Sequence, residues 1–355
     1  MKYFKGPLIF TLFCICLAAI LGYNSTHTFH GTCSVVFICL LLAVLEISLS
    51  FDNAVVNALV LKNVGTLWQQ RFLTWGILIA VIGMRLLFPL CIVGIASDLG
   101  PISVLSLAIN QPEKYTQILN SAHTQIMGFG GSFLLMVGLK YFFDSEKTIH
   151  WCTPIECHLV RFSNLKSVEI AIILLLLFIA SRFLPLSESS KFLSSGICGL
   201  LIFIIVDGLS SLLKIPEETS SGSMMVKNGL SSFIYLEILD ASFSFDGVIG
   251  AFALSTNLFI IAIGLGIGAM FVRSLTVLLV QKDTLSEYRY LEHGAFWAIL
   301  ALAIIMFINV RVQIPEIVTG SIGALLIILA LISSIRWNKR NAILNTISSS
   351  KSNKK

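Results

Sequence analysis

Charge is scarce in this sequence. Of 355 residues, 12% are charged, 56% are hydrophobic, and the mean hydropathy is +0.90. A soluble domain carries about 25% charged residues. The deficit excludes a soluble enzyme, a disordered chain and a nucleic-acid binder. Cysteine is also thin: eight in 355 residues do not make a disulfide framework. Cys14, Cys16, Cys33, Cys39, Cys91 and Cys198 lie in apolar runs, where a thiol is a small core hydrophobe. The net charge of +5 points to no polyanion, because much of the excess sits in the basic, serine-rich tail after Arg336. That tail reads as a solvated segment near anionic lipid.

What is present is apolar length. Ten segments read as membrane spans: 7–22, 32–61, 74–97, 124–143, 167–186, 192–213, 229–254, 257–280, 293–310 and 316–336. Each is close to the ~20 residues a helix needs to cross hydrocarbon. The first follows Lys2 and Lys5 like a signal peptide, but no small-x-small cleavage site follows it, so it reads as a retained span. With both termini in the cytoplasm, eighteen lysines and arginines face the cytoplasm and four face outward: Lys114, Arg182, Lys191 and Arg311. Arg85 and Arg273 fall inside spans. The asymmetry is what the positive-inside rule requires.

Two stretches repeat. Glu46-Ile-Ser48-Leu-Ser50-Phe-Asp52 and Asp240-Ala-Ser242-Phe-Ser244-Phe-Asp246 both read acid-x-Ser-x-Ser-Phe-Asp. In each case the next span carries a glycine nine residues before an arginine, Gly76 before Arg85 and Gly264 before Arg273. The third span opens Gly-small-Phe, at Gly131–Phe133 and Gly294–Phe296. Spans 2–4 and 7–9 therefore form a repeat. Its copies start five spans apart, an odd number, so they cross the bilayer in opposite senses. The expected fold is an all-α polytopic membrane protein of about ten transmembrane helices with an inverted repeat. The expected organisation is 1–31 (first span and outer loop), 32–143 (repeat 1), 144–228 (cytoplasmic loop and spans 5–6), 229–310 (repeat 2), 311–336 (last span) and 337–355 (tail). Inverted repeats place a substrate site near the midplane, at the repeat interface.

Spans 2 and 7 hold Glu46, Asp52, Glu237, Asp240 and Asp246. An acid at a helix centre costs ~2.5–3.5 kcal/mol, so five unpaired ones are untenable. Arg85 and Arg273, ~16 and ~10 Å deep at ~1.5 Å per residue, are the charge-balancing partners. Three negative charges stay over, which argues for a cationic ligand. An ion pair that merely staples the repeats is the bland alternative. Residues six apart differ by ~240° around a helix, so breaks are expected near Ser50–Asn53 and Ser244–Gly247, with two intact helices wetted on several faces as the alternative. Freed carbonyls, the Asn53 amide and the hydroxyls of Ser48, Ser50, Ser242 and Ser244 would line the site. No His or Cys lies in either motif. Hard oxygen ligands favour Mg, Ca or Mn, and such acids also relay protons.

Weaker signals complete the reading. His150, Cys152, Cys157 and His158 lack paired C-x2-C spacing, and read as an ordinary reduced loop rather than a zinc site. Asp207 is a pathway acid or a solvated one. His123, Glu292 and His293 read as interfacial anchors. Segment 98–123 is expected to hold a short interfacial helix over the cavity.

The repeated motif, with Phe51-Asp52-Asn53-Ala54-Val55, Phe129–Met136 and Tyr290–Phe296, resembles the TerC (tellurium resistance) family of membrane proteins, in a longer branch, related to the lysine-exporter superfamily. The resemblance covers spans 2–4 and 7–9. It implies export of a divalent metal, most plausibly Mn2+, from the bacterial cytoplasm across the inner membrane, with no catalysis and no organic cofactor. It implies Glu46, Asp52, Asp240 and Asp246 as metal ligands, joined by Glu237. Gly247 stands where the first copy has Asn53, so the half-sites differ. An acidic cavity repels tellurite itself. The alternative is a non-transporting factor that delivers metal to secreted enzymes, docks to the secretion machinery or self-associates. An intramembrane hydrolase is disfavoured, because no paired-aspartate protease signature appears.

Overall fold

In the computed structural model the described residues are 4–352, apart from 63, 145–146, 148, 163–166, 213–220, 256, 283–286 and 313. Within helices, side chains 73, 77, 95–96, 160–162, 209–212, 221–228, 231, 244–246, 249–250, 253, 316 and 342–352 are not described either.

Among the described residues the chain is helical, without strands. The elements are α1 (Lys5–Thr26), α2 (Phe29–Leu49), α3 (Phe51–Lys62), α4 (Thr66–Leu78), a π-helical stretch (Ile79–Leu87), α5 (Phe88–Ser97), α6 (Pro101–Asn110) and α7 (Pro112–Ser121). There follow α8 (His123–Phe142), α9 (Thr153–Phe162), α10 (Val168–Arg182), α11 (Leu186–Leu212), α12 (Ser221–Leu254), α13 (Leu258–Gln281), α14 (Leu291–Asn309) and α15 (Glu316–Ser352). Local chemistry sets several ends. Thr28 accepts from the Gly31 N–H and Asn257 from the Phe259 and Ile260 N–H groups, capping α2 and α13. Pro101 and Pro112 open α6 and α7, where a missing N–H costs nothing.

The chain is a multi-pass membrane protein. Six described helices, or parts of them, are long and apolar enough to cross a bilayer: α1, α2, Leu186–Gly208, α13, α14 and Ile317–Asn341. The pair Thr66–Gly76 and Ile79–Gly94, bent by 40°, is a broken span, which counts as a seventh, or a re-entrant loop. The remaining expected spans fall on α8, α10 and α12. The 15 residues of α10 reach only ~22 Å at ~1.5 Å each, short of a ~30 Å core. α12 carries the acids. α8 is buried along most of its length, and a helix wrapped in protein need not be as apolar as one facing lipid.

Small residues let the helices approach. α2 lies against α13, where a Cβ on Gly264 would sit 2.7 Å from Leu42 Cβ. α8 lies against α11, where a Cβ on Gly199 would sit 2.3 Å from the Phe129 carbonyl. Such contacts drive association where lipid offers no hydrophobic gain. α8 also packs on α14, α14 on α15, and α12 on α4 and the π stretch.

The first expected break is present: α2 ends at Leu49 and α3 starts at Phe51, with Ser50 between. The second is absent, because α12 continues unbroken through 244–247. At the first break Asp52 sits in the first turn of α3 and accepts the Asn53 N–H at 2.9 Å, favourable at a helix N-terminus. In the second copy the same Ser-x-Ser-Phe-Asp run lies inside a continuous helix. Segment 98–123 forms two short helices, α6 and α7.

Candidate functional site

Glu46 lies near the end of α2 and is 1% exposed. The Ser50 N–H donates to the Glu46 carbonyl at 2.9 Å, and the Ser50 hydroxyl donates to Glu46 Oε1 at 3.1 Å. Arg85 Nη2 pairs with the same carboxylate. Arg85 sits in the π-helical stretch, and its Nη1 donates to the Ala80 carbonyl at 2.6 Å. π-Helical turns are rare and gather at functional sites. Room for Glu46 comes from α13: a Cβ on Gly268 would stand 2.4 Å from Glu46 Cβ.

The second half is built differently. Arg273 Nη2 donates to Glu237 Oε1 at 3.2 Å and to Asp240 Oδ2 at 3.0 Å. Its Nη1 donates to the Phe72 carbonyl at 3.1 Å, and the guanidinium lies 3.9 Å from the Phe72 ring centroid. One arginine thus serves two acids, at a point where Gly76 leaves α4 without a side chain.

The halves meet at Asn53, whose Nδ2 donates to Asp240 Oδ1. Its Oδ1 is buried with no hydrogen-bond partner among the described residues. The same holds for Asn57 Oδ1, one turn further along α3, and for Arg85 Nε. Asp52 is buried, and neither arginine pairs with it. It borders a cavity of about 30 Å3 lined by Leu49, Phe243, Gly247, Ala298, Thr319 and Gly320, among others.

Of the expected site residues, the structure gathers Glu46, Ser50 and Arg85 into one cluster. It gathers Asn53, Glu237, Asp240 and Arg273 into another, and leaves Asp52 beside the cavity. Ser48 lies apart: it is exposed and donates back to the Val44 carbonyl at 2.8 Å, since a residue two after Glu46 sits ~200° round the helix. Ser242 donates to Ile238 O at 3.0 Å within α12. The side chains of Ser244 and Asp246 lie outside the described residues. No group of three or more His, Cys, Asp or Glu among the described residues is placed to hold a metal by itself.

A third polar cluster was not legible in the sequence. Glu156 of α9 is fully buried and accepts from the Trp151 and Cys152 N–H groups at 3.2 and 3.1 Å and from Trp297 Nε1 at 3.1 Å. Lys147 Nζ, His150 Nδ1 and His293 Nε2 each stand 3.5 Å from its Oε2. His293 also meets the Ile149 carbonyl at 2.7 Å. It is therefore a clasp between the 147–157 loop and α14, not an interfacial anchor. His158 Nδ1 lies 2.6 Å from Pro154 O, and Asp207 pairs with Lys140 at a half-exposed position.

A family described as "Protein of unknown function (DUF475)" matches residues 51–341. No curated protein and no solved structure matches.

Proposed function

This chain belongs to the DUF475 family, and we propose that it exports a divalent cation, Mn2+ first, across the bacterial cytoplasmic membrane. In this reading the ten spans of the sequence hold, spans 2–4 and 7–9 are an inverted repeat, and both termini are cytoplasmic. The packing supports the repeat. α2 lies on α13 as α12 lies on the α4–π arm, and the third helices of the copies, α8 and α14, pack on each other. Exchanging the copies maps each contact onto another.

One observation carries the proposal. Glu46, Asp52, Glu237 and Asp240 are buried inside the protein with two guanidiniums, which hold three of them. With all four ionised, two negative charges stay uncompensated. A doubly positive ion supplies the difference, and buried oxygens of Asn53 and Asn57 are the neutral donors a hard cation takes. The arginines are the resting counter-charges, released stepwise as the cation displaces them. Asp52, without an arginine, is the first carboxylate it meets.

The test is flux. Purified protein in liposomes is compared for Mn, Mg, Ca and Zn movement across a pH step, with Asp52→Asn beside the parent. The parent moves Mn2+ and Asp52→Asn does not, at equal reconstitution. Equal flux by the two, or none for any cation by the parent, overturns the reading.

A further inference from the structure

The cavity beside Asp52 has a wall that neither repeat supplies. Thr319, Gly320 and Gly323 of α15 line it. Thr319 is 9% exposed, and its Oγ1 is buried with no hydrogen-bond partner among the described residues. That is unusual for a threonine in a helix, whose hydroxyl ordinarily bonds the carbonyl four residues back. Ser321, Ser333 and Ser334 of the same helix do so, at 2.5, 2.8 and 2.9 Å. A buried hydroxyl left without a bond costs ~1–3 kcal/mol, so its retention opposite a buried carboxylate points to a ligand.

Size limits what that ligand is. A cavity of about 30 Å3 has room for roughly two water-sized particles at ~10–15 Å3 each. A cation with a full water shell does not fit, nor does an organic cation. The carboxylate and hydroxyl oxygens are hard donors. The glycines hold the space open: a Cβ on Gly323 would lie 3.1 Å from Asp52 Oδ2.

We infer that Thr319 of the last helix is a ligand of a largely dehydrated monatomic cation at Asp52, so that the site is completed by a helix outside both repeats. The inference rests on the reading that Asp52 receives the cargo, and adds to it the ion's hydration state and a neutral ligand.

The experiment is Mn2+ binding by equilibrium dialysis on the full chain in nanodiscs, for the parent, Thr319→Val, Thr319→Ser and Gly323→Ala. Valine keeps the shape and removes the oxygen; serine keeps the oxygen. Thr319→Val is expected to bind about tenfold more weakly, ~1.4 kcal/mol, and Thr319→Ser to stay within about twofold of the parent. Gly323→Ala, whose methyl would narrow the cavity against Asp52 Oδ2, is expected to weaken binding as well. Parent-like binding by Thr319→Val, or by a folded Gly323→Ala, overturns the inference and leaves the transport reading standing. Should Thr319→Val fail to fold, weak binding by Thr319→Ser with an unchanged melting profile also overturns it. No Mn2+ binding by the parent overturns both.

Discussion

The two halves share a motif and differ in how they neutralise it. In the first, one arginine holds one acid, the chain breaks at Ser50, and Asp52 has no cationic partner among the described residues. In the second, one arginine holds two acids on an unbroken helix. The extra acid explains much of the contrast. Glu237 precedes Asp240 by three residues, and the matching position before Glu46 is Ala43, which packs with Cys14 and Ile267. An acid replaced by alanine frees that face for α1 and α13 and leaves Arg85 a single partner. The acid that opens each motif pairs with the arginine of the following helix pattern, Glu46 with Arg85 and Asp240 with Arg273, while the backbone path differs.

The sharpest way to break this comparison is to remove each arginine. Arg273→Met strands two buried carboxylates, and losing one partner of a buried ion pair costs ~3–5 kcal/mol. Arg85→Met strands one, which keeps its bond from the Ser50 hydroxyl. The larger fall in thermal stability in detergent is therefore expected for Arg273→Met. The reverse order would mean that the second half is not the more heavily charged one.

Next in size are the glycines that make room for the pairs. A Cβ on Gly268 would meet Glu46 Cβ at 2.4 Å and the Ala43 carbonyl at 2.9 Å, so α2 and α13 must move apart. At Gly76 it would meet the Arg273 Nη1 tip at 2.2 Å and Glu237 Oε1 at 2.8 Å. Overpacking costs ~1–3 kcal/mol. Gly268→Ala is expected at the upper end of that range and Gly76→Ala below it, both read by the same melting assay. Smaller again is Asn53→Gly, which gives the first half the residue of the second. It removes the Asn53–Asp240 hydrogen bond, worth ~1 kcal/mol. Asp240 keeps Arg273, so the loss should not exceed that.

Much of this was legible before the structure. The apolar segments gave a helical membrane protein, and the repeat singled out Glu46, Asp52, Asp240, Arg85 and Arg273. Helical geometry located the break at Ser50, because two acids six apart cannot share a face. It failed at Ser244–Gly247, where the same Ser-x-Ser-Phe-Asp run lies inside the unbroken α12: a residue pattern alone does not say which copy bends. Thr319 was invisible: it lies outside the motif, and one threonine in an apolar span carries no pattern. Glu156 was hidden for another reason. Its partners His293 and Trp297 lie more than a hundred residues away, and only folding brings them together.

That clasp extends the comparison to α8 and α14, since Glu156 of α9, which follows α8, meets His293 and Trp297 of α14. Its expected pH response is the smallest effect of all. Burial pushes the Glu156 carboxyl up, but the Cys152 N–H, the Trp297 indole and the charges of Lys147 and His293 outweigh burial and hold it below the usual 4.5. A carboxyl depressed on folding lends stability that is present above its unfolded value and lost as the pH falls through the folded one. Hydrogen exchange at Trp151 and Cys152, whose N–H groups bind Glu156, should therefore show unchanged protection between pH 8 and pH 6 once corrected for intrinsic rates. Protection should be lost only in acid below the ordinary glutamate range. Protection that falls already between pH 8 and pH 6 would mean that a group other than the Glu156 carboxyl sets the response of the clasp. The link between α8 and α14 would then respond to pH near neutrality, which a depressed carboxyl forbids.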